Sequence, residues 1–182
     1  MTKHLTTRKI ALLGIFLAMA LLMFVVENLL PPLILPGAKL GLSNIFVLLT
    51  VILLGNVEAI ILVVAKCVLG SLIVGNLTAL MYSLTAGLVS VTISIVLYKF
   101  IYPKISLICI SVVSAVVHNL IQTIVFCLIT NTPSYFMFIG YLALFGVLAG
   151  VITGLVVILL LKYVPTKVYD KFLSINKENQ NP

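Results

Sequence analysis

Acidic side chains are nearly missing from this chain, which has four Asp and Glu against eleven Lys and Arg in 182 residues. Before Ser174 they are Glu27, Glu58 and Asp170, widely separated, and this excludes most enzyme classes. No glycine-rich phosphate loop, His-Glu-x-x-His helix or serine elbow is present either, so neither an enzyme nor a self-contained ATP-driven pump is expected. Cysteine is scarce as well. Cys67, Cys109 and Cys127 fall inside apolar runs, are odd in number and lack metal-ligand spacing, so they read as small buried hydrophobes, with no metal and no cofactor implied.

Charged residues make up only 8% of the chain, hydrophobic ones 63%, and the mean hydropathy is +1.33. A soluble domain needs many more charges on its surface, so the composition is that of an all-α, polytopic membrane protein embedded in a lipid bilayer. Residues 1–9 lead straight into a long apolar run without a small-residue cleavage site, which reads as a retained first span. The net charge of +7 sits at the ends of spans, so no nucleic-acid partner is expected.

Apolar runs long enough to cross a hydrocarbon core, about 20 residues, lie at 9–29, 58–75, 77–99, 105–129 and 136–162. A shorter run, 44–55, spans only if Leu40 to Ser43 join it or if a bundle shields it. Gly55-Asn56, Gly75-Asn76, Tyr102-Pro103 and Asn131-Thr132-Pro133-Ser134 are the turn signals between runs. Six crossings with both termini in the cytoplasm place nine of the eleven cations inside, as the positive-inside rule requires. Residues 1–165 then form one six-helix domain, and 166–182 a polar cytoplasmic tail read as partly disordered. Lys39 and Lys66 are the two exceptional cations.

Lys66 falls near the middle of the third span, where an ammonium costs at least ~2.5 kcal/mol and must face a partner or a watery cavity. It is either an anchor for an anionic ligand or one half of an ion pair with Glu27. Ser111, Ser114, His118 and Gln122 share one face of the fifth span, with Asn119 beside them, and this polar stripe should face inward. At ~20 Å from the cytoplasmic end, His118 falls in the outer half of the membrane. Interhelical hydrogen bonding is the competing use of such residues. Ser83, Gly87, Ser90 and Ser94 form a small-residue face on the fourth span suited to close helix packing, and Tyr82 precedes it as a ligand contact or an interfacial aromatic. Asn56 and Glu58 read as cap and dipole partners of the third span.

The segment Leu30–Asn44 cannot be lipid-facing helix. Its three prolines lack amide donors and its two glycines loosen the backbone, so its peptide groups need water, protein or a ligand. Pro31-Pro32 with Pro36-Gly37-Ala38-Lys39-Leu40-Gly41-Leu42-Ser43-Asn44, Tyr82-Ser83-Leu84 and His118-Asn119-Leu120-Ile121-Gln122 together resemble one bacterial membrane family over about residues 8–165. That family carries two names, heptaprenyl diphosphate synthase component I and the Gx transporter family. The synthase chemistry is absent, since prenyl synthases hold magnesium with aspartate-rich motifs and this chain has one aspartate. The layout is similar instead to the substrate-binding S component of energy-coupling factor (ECF) transporters.

That resemblance implies an importer subunit that captures a small anionic or amphipathic ligand outside and works with a transmembrane coupling protein and ABC-type ATPases. Lys39 would act as a lid residue, and Asn44, Lys66, Tyr82, His118, Asn119, Gln122 and Glu27 would contact ligand. Gly14 and Ala18 would dock the coupling protein, Gly14 standing where such proteins carry the first of two alanines. The alternative is a noncatalytic membrane subunit of a prenyl diphosphate synthase. A third reading, an ion-coupled carrier, needs membrane carboxylates, for which Glu27 is the candidate.

Overall fold

The computed structural model describes residues 7–29 and 41–163; Lys39 and the tail lie outside them. Six α-helices run in order: α1 (Thr7–Leu29), α2 (Asn44–Leu53), α3 (Asn56–Val74), α4 (Leu77–Phe100), α5 (Leu107–Thr130) and α6 (Ile139–Tyr163). A 3-10 turn at Pro133–Phe138 precedes α6. Five are long and apolar enough to cross a membrane, and α2 is the short one.

The helices break where the turn signals stand. Gly75 ends α3 at φ +71°, a left-handed conformation that costs glycine little, and Asn76 then caps α4 by accepting from the Ala79 amide at 3.0 Å. Ser106 does the same for α5 through Cys109 N–H at 3.2 Å. At α3 the expectation needs correction: the cap is Gly55, not Asn56, and Asn56 is already helical. Glu58 does lie in the first turn of α3, but its larger task is to receive Lys9.

α2 is buried at Ile45 and at every position from Val47 to Leu53, with Phe46 partly buried, and touches α1, α3, α4 and α6. An all-round apolar helix has no face to offer water, so it goes to the centre of the bundle. Ten residues amount to about 15 Å, half of a hydrocarbon core. The N-terminus of α2 therefore stops level with the middle of α3, at the depth of Lys66.

Around α2, the other helices differ in how tightly they are held. α5 packs most extensively on α6, and the reason is a ladder of glycines on α6. A Cβ at Gly146, Gly150 or Gly154 would meet the Cα of Val116, Val112 or Ile108 at 2.9, 2.5 and 2.7 Å. Bare backbone is what lets the two helices approach, the usual basis of close packing in lipid. α1 is held chiefly by α2 and α3. At one end of the bundle the Lys9 ammonium reaches both the Leu54 carbonyl (3.2 Å) and the Glu58 carboxylate (3.1 Å), all buried.

Of the cysteines, Cys67 and Cys127 are buried as expected, whereas Cys109 is exposed, being on the outer side of α5 near its start. All three are free thiols.

Four variants test this packing. Gly150→Leu should cost about 1–3 kcal/mol through overpacking against α5 and lower the melting temperature in detergent. Gly14→Leu, with nothing within 4 Å of the added Cβ, should leave it unchanged. Lys9→Met should cost about 3–5 kcal/mol by stranding the Glu58 carboxylate, and Lys9→Met/Glu58→Gln should recover much of the loss in the same melting assay.

Candidate functional site

A cavity of about 310 Å³ opens between α1, α2, α3, α4 and α5, with Ala149 and Thr153 of α6 reaching its wall. Its lining runs from Asn76 at the start of α4 down to Ser94, about 27 Å of helix axis. Glu27, Asn44, Lys66, Tyr82, His118, Asn119 and Gln122 all line it. Seven side chains from five helices, singled out by their cost or their pattern in the sequence, thus meet in one space. Lys39 lies outside the described residues.

The depth of α2 explains how Lys66 is accommodated. Its ammonium, 8% exposed, donates to Ser43 Oγ at 3.2 Å and to Asn44 Oδ1 at 2.9 Å, both at the N-terminus of α2. Ser43 occupies the cap position but makes no side-chain cap bond, because its hydroxyl serves Lys66. The α2 amides of Asn44 and Ile45 are met by the carbonyls of Gly41 and Leu42 at 2.8 and 3.2 Å. Main-chain groups are satisfied locally, so the polar side chains are released to the cavity.

Glu27 is not the partner of Lys66. Among the described residues the two form no ion pair, and Glu27 Oε1 is buried without a hydrogen-bond partner. Glu27 lies in the last turn of α1, 9% exposed. The helix dipole presents its negative end there, which adds to the cost of a carboxylate.

The floor of the cavity is a serine network joining α4 to α5. Ser94 and Ser114 hydroxyls are 2.6 Å apart, and Ser90 donates to the Ser114 carbonyl at 3.0 Å. Higher on the same face of α4, a Cβ at Gly87 would come 2.9 Å from Val63, and Ser83 Oγ is 3.5 Å from Cys67 Sγ. The small-residue face of α4 therefore both packs on its neighbours and borders the cavity.

On α5, Ser111, His118 and Gln122 line the cavity as expected, whereas Ser114 does not: its hydroxyl and carbonyl are taken by Ser94 and Ser90 of α4, and Ala115 stands in its place in the lining. Asn119 has a structural duty as well: its amide donates to the Leu142 carbonyl of α6 at 2.9 Å, and its own carbonyl accepts from Thr123 at 2.7 Å.

Beyond Tyr82, Asn119 and Gln122 lies a second space of about 220 Å³ that shares these three residues and adds Phe126, Tyr135 and Leu142. Tyr82 meets Phe126 edge to face at 5.7 Å between ring centres, and Phe126 meets Tyr135 at 5.0 Å. This aromatic annex escaped the sequence reading. Phe126 continues the α5 stripe one turn past Gln122, a signal that a search restricted to polar residues passes over. Tyr135 belongs to the 3-10 turn, where helical periodicity gives no guide.

Gly14 and Ala18 stand apart from the cavity. Both are exposed on α1, along with Ile15, Met19 and Leu22. No group of three or more His, Cys, Asp or Glu that could hold a metal occurs among the described residues.

No curated protein and no solved structure matches the chain significantly. A family model described as heptaprenyl diphosphate synthase component I matches residues 16–160, which hold α2 to α5 whole, most of α1 and α6, and the entire described cavity lining. The chain belongs to that family of membrane proteins.

Proposed function

We propose that this protein is the membrane substrate-binding component of an ECF-type importer, with six crossings and both termini cytoplasmic. It takes up a small anionic or amphipathic ligand for transport driven by a separate coupling protein and its ATPases. It is not itself an enzyme.

The observation that carries this reading is the cavity. Lys66, Asn44, Tyr82, His118 and Gln122 converge on one cavity inside a mostly apolar chain. Polar groups in such surroundings are costly, and their convergence on one space suits recognition of a ligand with complementary groups. The annex gives the ligand's apolar part a place to go. The mouth toward Asn76 and the C-terminal end of α1 would then face outside, and the Lys9–Glu58 pair would close the cytoplasmic end.

Gly14 and Ala18 support the second half of the proposal. Small residues exposed on a lipid-facing helix let another transmembrane helix approach closely; both are exposed, and among the described residues nothing lies within 4 Å of a Cβ added at Gly14. A coupling protein is the partner that fits this face.

The family's description favours a second reading, a noncatalytic membrane subunit that assists a prenyl diphosphate synthase. It calls for a docking surface on the cytoplasmic side, where the described connections are the short turns at Gly55 and at residues 101–106. The cavity would have no part in that role.

Purification of the tagged protein in mild detergent from its native membrane, with mass spectrometry of partners and small molecules, separates the two. A coupling protein with two ATPases is the expected recovery; a prenyl synthase subunit without them would establish the second reading. Lys66→Met and His118→Ala should each lower the amount of co-purifying small molecule by about tenfold, the size expected for one charged hydrogen bond, while the yield of folded protein holds. Gly14→Leu should keep that small molecule bound and abolish its uptake into cells.

A further inference from the structure

Eight serine and threonine side chains are buried among the described residues, and six of them have partners within the bundle. Ser43 serves Lys66, Ser94 and Ser114 meet each other, and Thr50, Ser71 and Thr123 turn back to carbonyls of their own helices. The hydroxyls of Ser111 and Thr153 bond to no described residue, although the two residues are only 5% and 4% exposed. Neither is sealed in protein. Glu27 Oε1 is the one fully enclosed side-chain oxygen without a partner among the described residues, so the two hydroxyls keep an opening, and the space that both residues line is the cavity.

Ser111 and Thr153 are the innermost lining residues of α5 and α6. Counted along α5 from 118 to 111, Ser111 lies about 10 Å further from the mouth than His118. Both belong to the stretch where the two helices nearly touch: a Cβ on Gly150 would sit 3.0 Å from the Ser111 carbonyl, and one on Gly154 2.7 Å from Ile108 Cα. Close packing accounts for small side chains there but not for hydroxyls, since Ala115 and Ala149 serve in the same wall. A hydroxyl without a partner in a low-dielectric space is costly, and it marks a place where something else supplies the bond. Fixed charge is absent from this end. Val63 of α3 packs on Gly87 of α4, about 10 Å short of Ser94, and Lys66 and Glu27, the described lining residues of fixed charge, lie on the mouth side of Val63.

We infer that Ser111 and Thr153 recognise an uncharged hydrogen-bonding group, a hydroxyl or a carboxamide, at the inner end of an elongated ligand. The inference rests on the cavity being the capture site of the preceding section and adds a second recognition point to it, deeper than His118. Each hydroxyl can both donate and accept, which matches a group that does both. An ionic group at this depth would be buried without a counter-charge.

The test is binding to the purified full-length protein in detergent, read as ligand-dependent thermal stabilisation. The probes are 6-hydroxyhexanoate, 8-hydroxyoctanoate and 10-hydroxydecanoate, with hexanoate, octanoate and decanoate as their plain counterparts. The carboxylate stands for the anionic head of the preceding section, and the three lengths bracket the separation of the two recognition points. Octanedioate places a charge at the inner end. At least one hydroxy acid should bind about fivefold more tightly than its plain counterpart, the size of one net neutral hydrogen bond, and octanedioate should bind no better than octanoate. In Ser111→Ala/Thr153→Val the preference should fall to about one, and each single variant should lose part of it. Partition of the probes into detergent is common to all these proteins, so a change in the ratio belongs to the site.

Equal binding of hydroxy and plain acids by the wild type, the result for hydroxyls that hold only water, overturns the proposal. So does a ratio unchanged in the folded variants, a preference for octanedioate, or no binding by any probe. Plain acids that bind without a hydroxyl preference leave the cavity standing as a capture site while this inference falls. Because no coupling protein enters the assay, a hydroxyl preference in a protein that recovers no ATPases would stand while the importer reading fell.

Discussion

An ammonium inside hydrocarbon must be surrounded by oxygen, and the arrangement of this protein follows from how Lys66 meets that demand. Its oxygens come from Ser43 and Asn44, and they can do so only because α2 is too short to cross the bundle and begins level with the middle of α3. Length, usually a constraint imposed by the bilayer, here leaves room beside Lys66 for a polar chamber. Had α2 been a full span, apolar side chains would occupy the space beside Lys66 and the charge would have no accommodation. The burial of α2 from Val47 onward is the other half of the arrangement, since a short helix is tolerated in a membrane only where protein covers it.

Around that chamber, polar side chains divide into those that hold helices together and those that face the space. Ser90, Ser94 and Ser114 bond to one another across α4 and α5, and Asn119 ties α5 to α6. Each such bond in a membrane adds only about 0.6 kcal/mol on average, so the network fixes register more than it adds stability. Glu27 is the exception to satisfaction. Its unpartnered oxygen is the one such buried side-chain atom among the described residues.

Much of this was legible from residues alone because burial in lipid makes polar residues conspicuous. The spans were set by length and hydropathy to within two or three residues at most ends, and the turn signals at Gly75-Asn76 and Tyr102-Pro103 fall where the helices break. Lys66 and the α5 stripe announced the cavity through their cost and spacing. What escaped was what carries no such cost. The Gly146, Gly150 and Gly154 ladder lies in an α6 whose hydrophobicity has almost no sidedness, so the face buried against α5 shows only in the packing. The Lys9–Glu58 pair joins residues 49 positions apart, and the rule that assigns cations to a membrane side says nothing of partners. Of the two uses left open for Lys66, the ion pair with Glu27 is not formed, and the neutral hydroxyl and amide oxygens of Ser43 and Asn44 that it does meet carry no charge by which a sequence search would find them.

The unequal packing of the helices has a mechanical consequence. α5 and α6 form a wall whose backbones nearly touch, so its compliance is low. α1 leans chiefly on α2 and α3, and a Cβ on Gly70 of α3 would meet only the Phe24 ring at 3.1 Å, the edge of a side chain and not a main chain. Any volume the chamber gains or loses is therefore taken up on the α1 side. Because α1 is one continuous helix pinned at its other end by Lys9, a displacement near Glu27 works as a lever about that pin, and Gly14 and Ala18 ride on the arm close to the fulcrum.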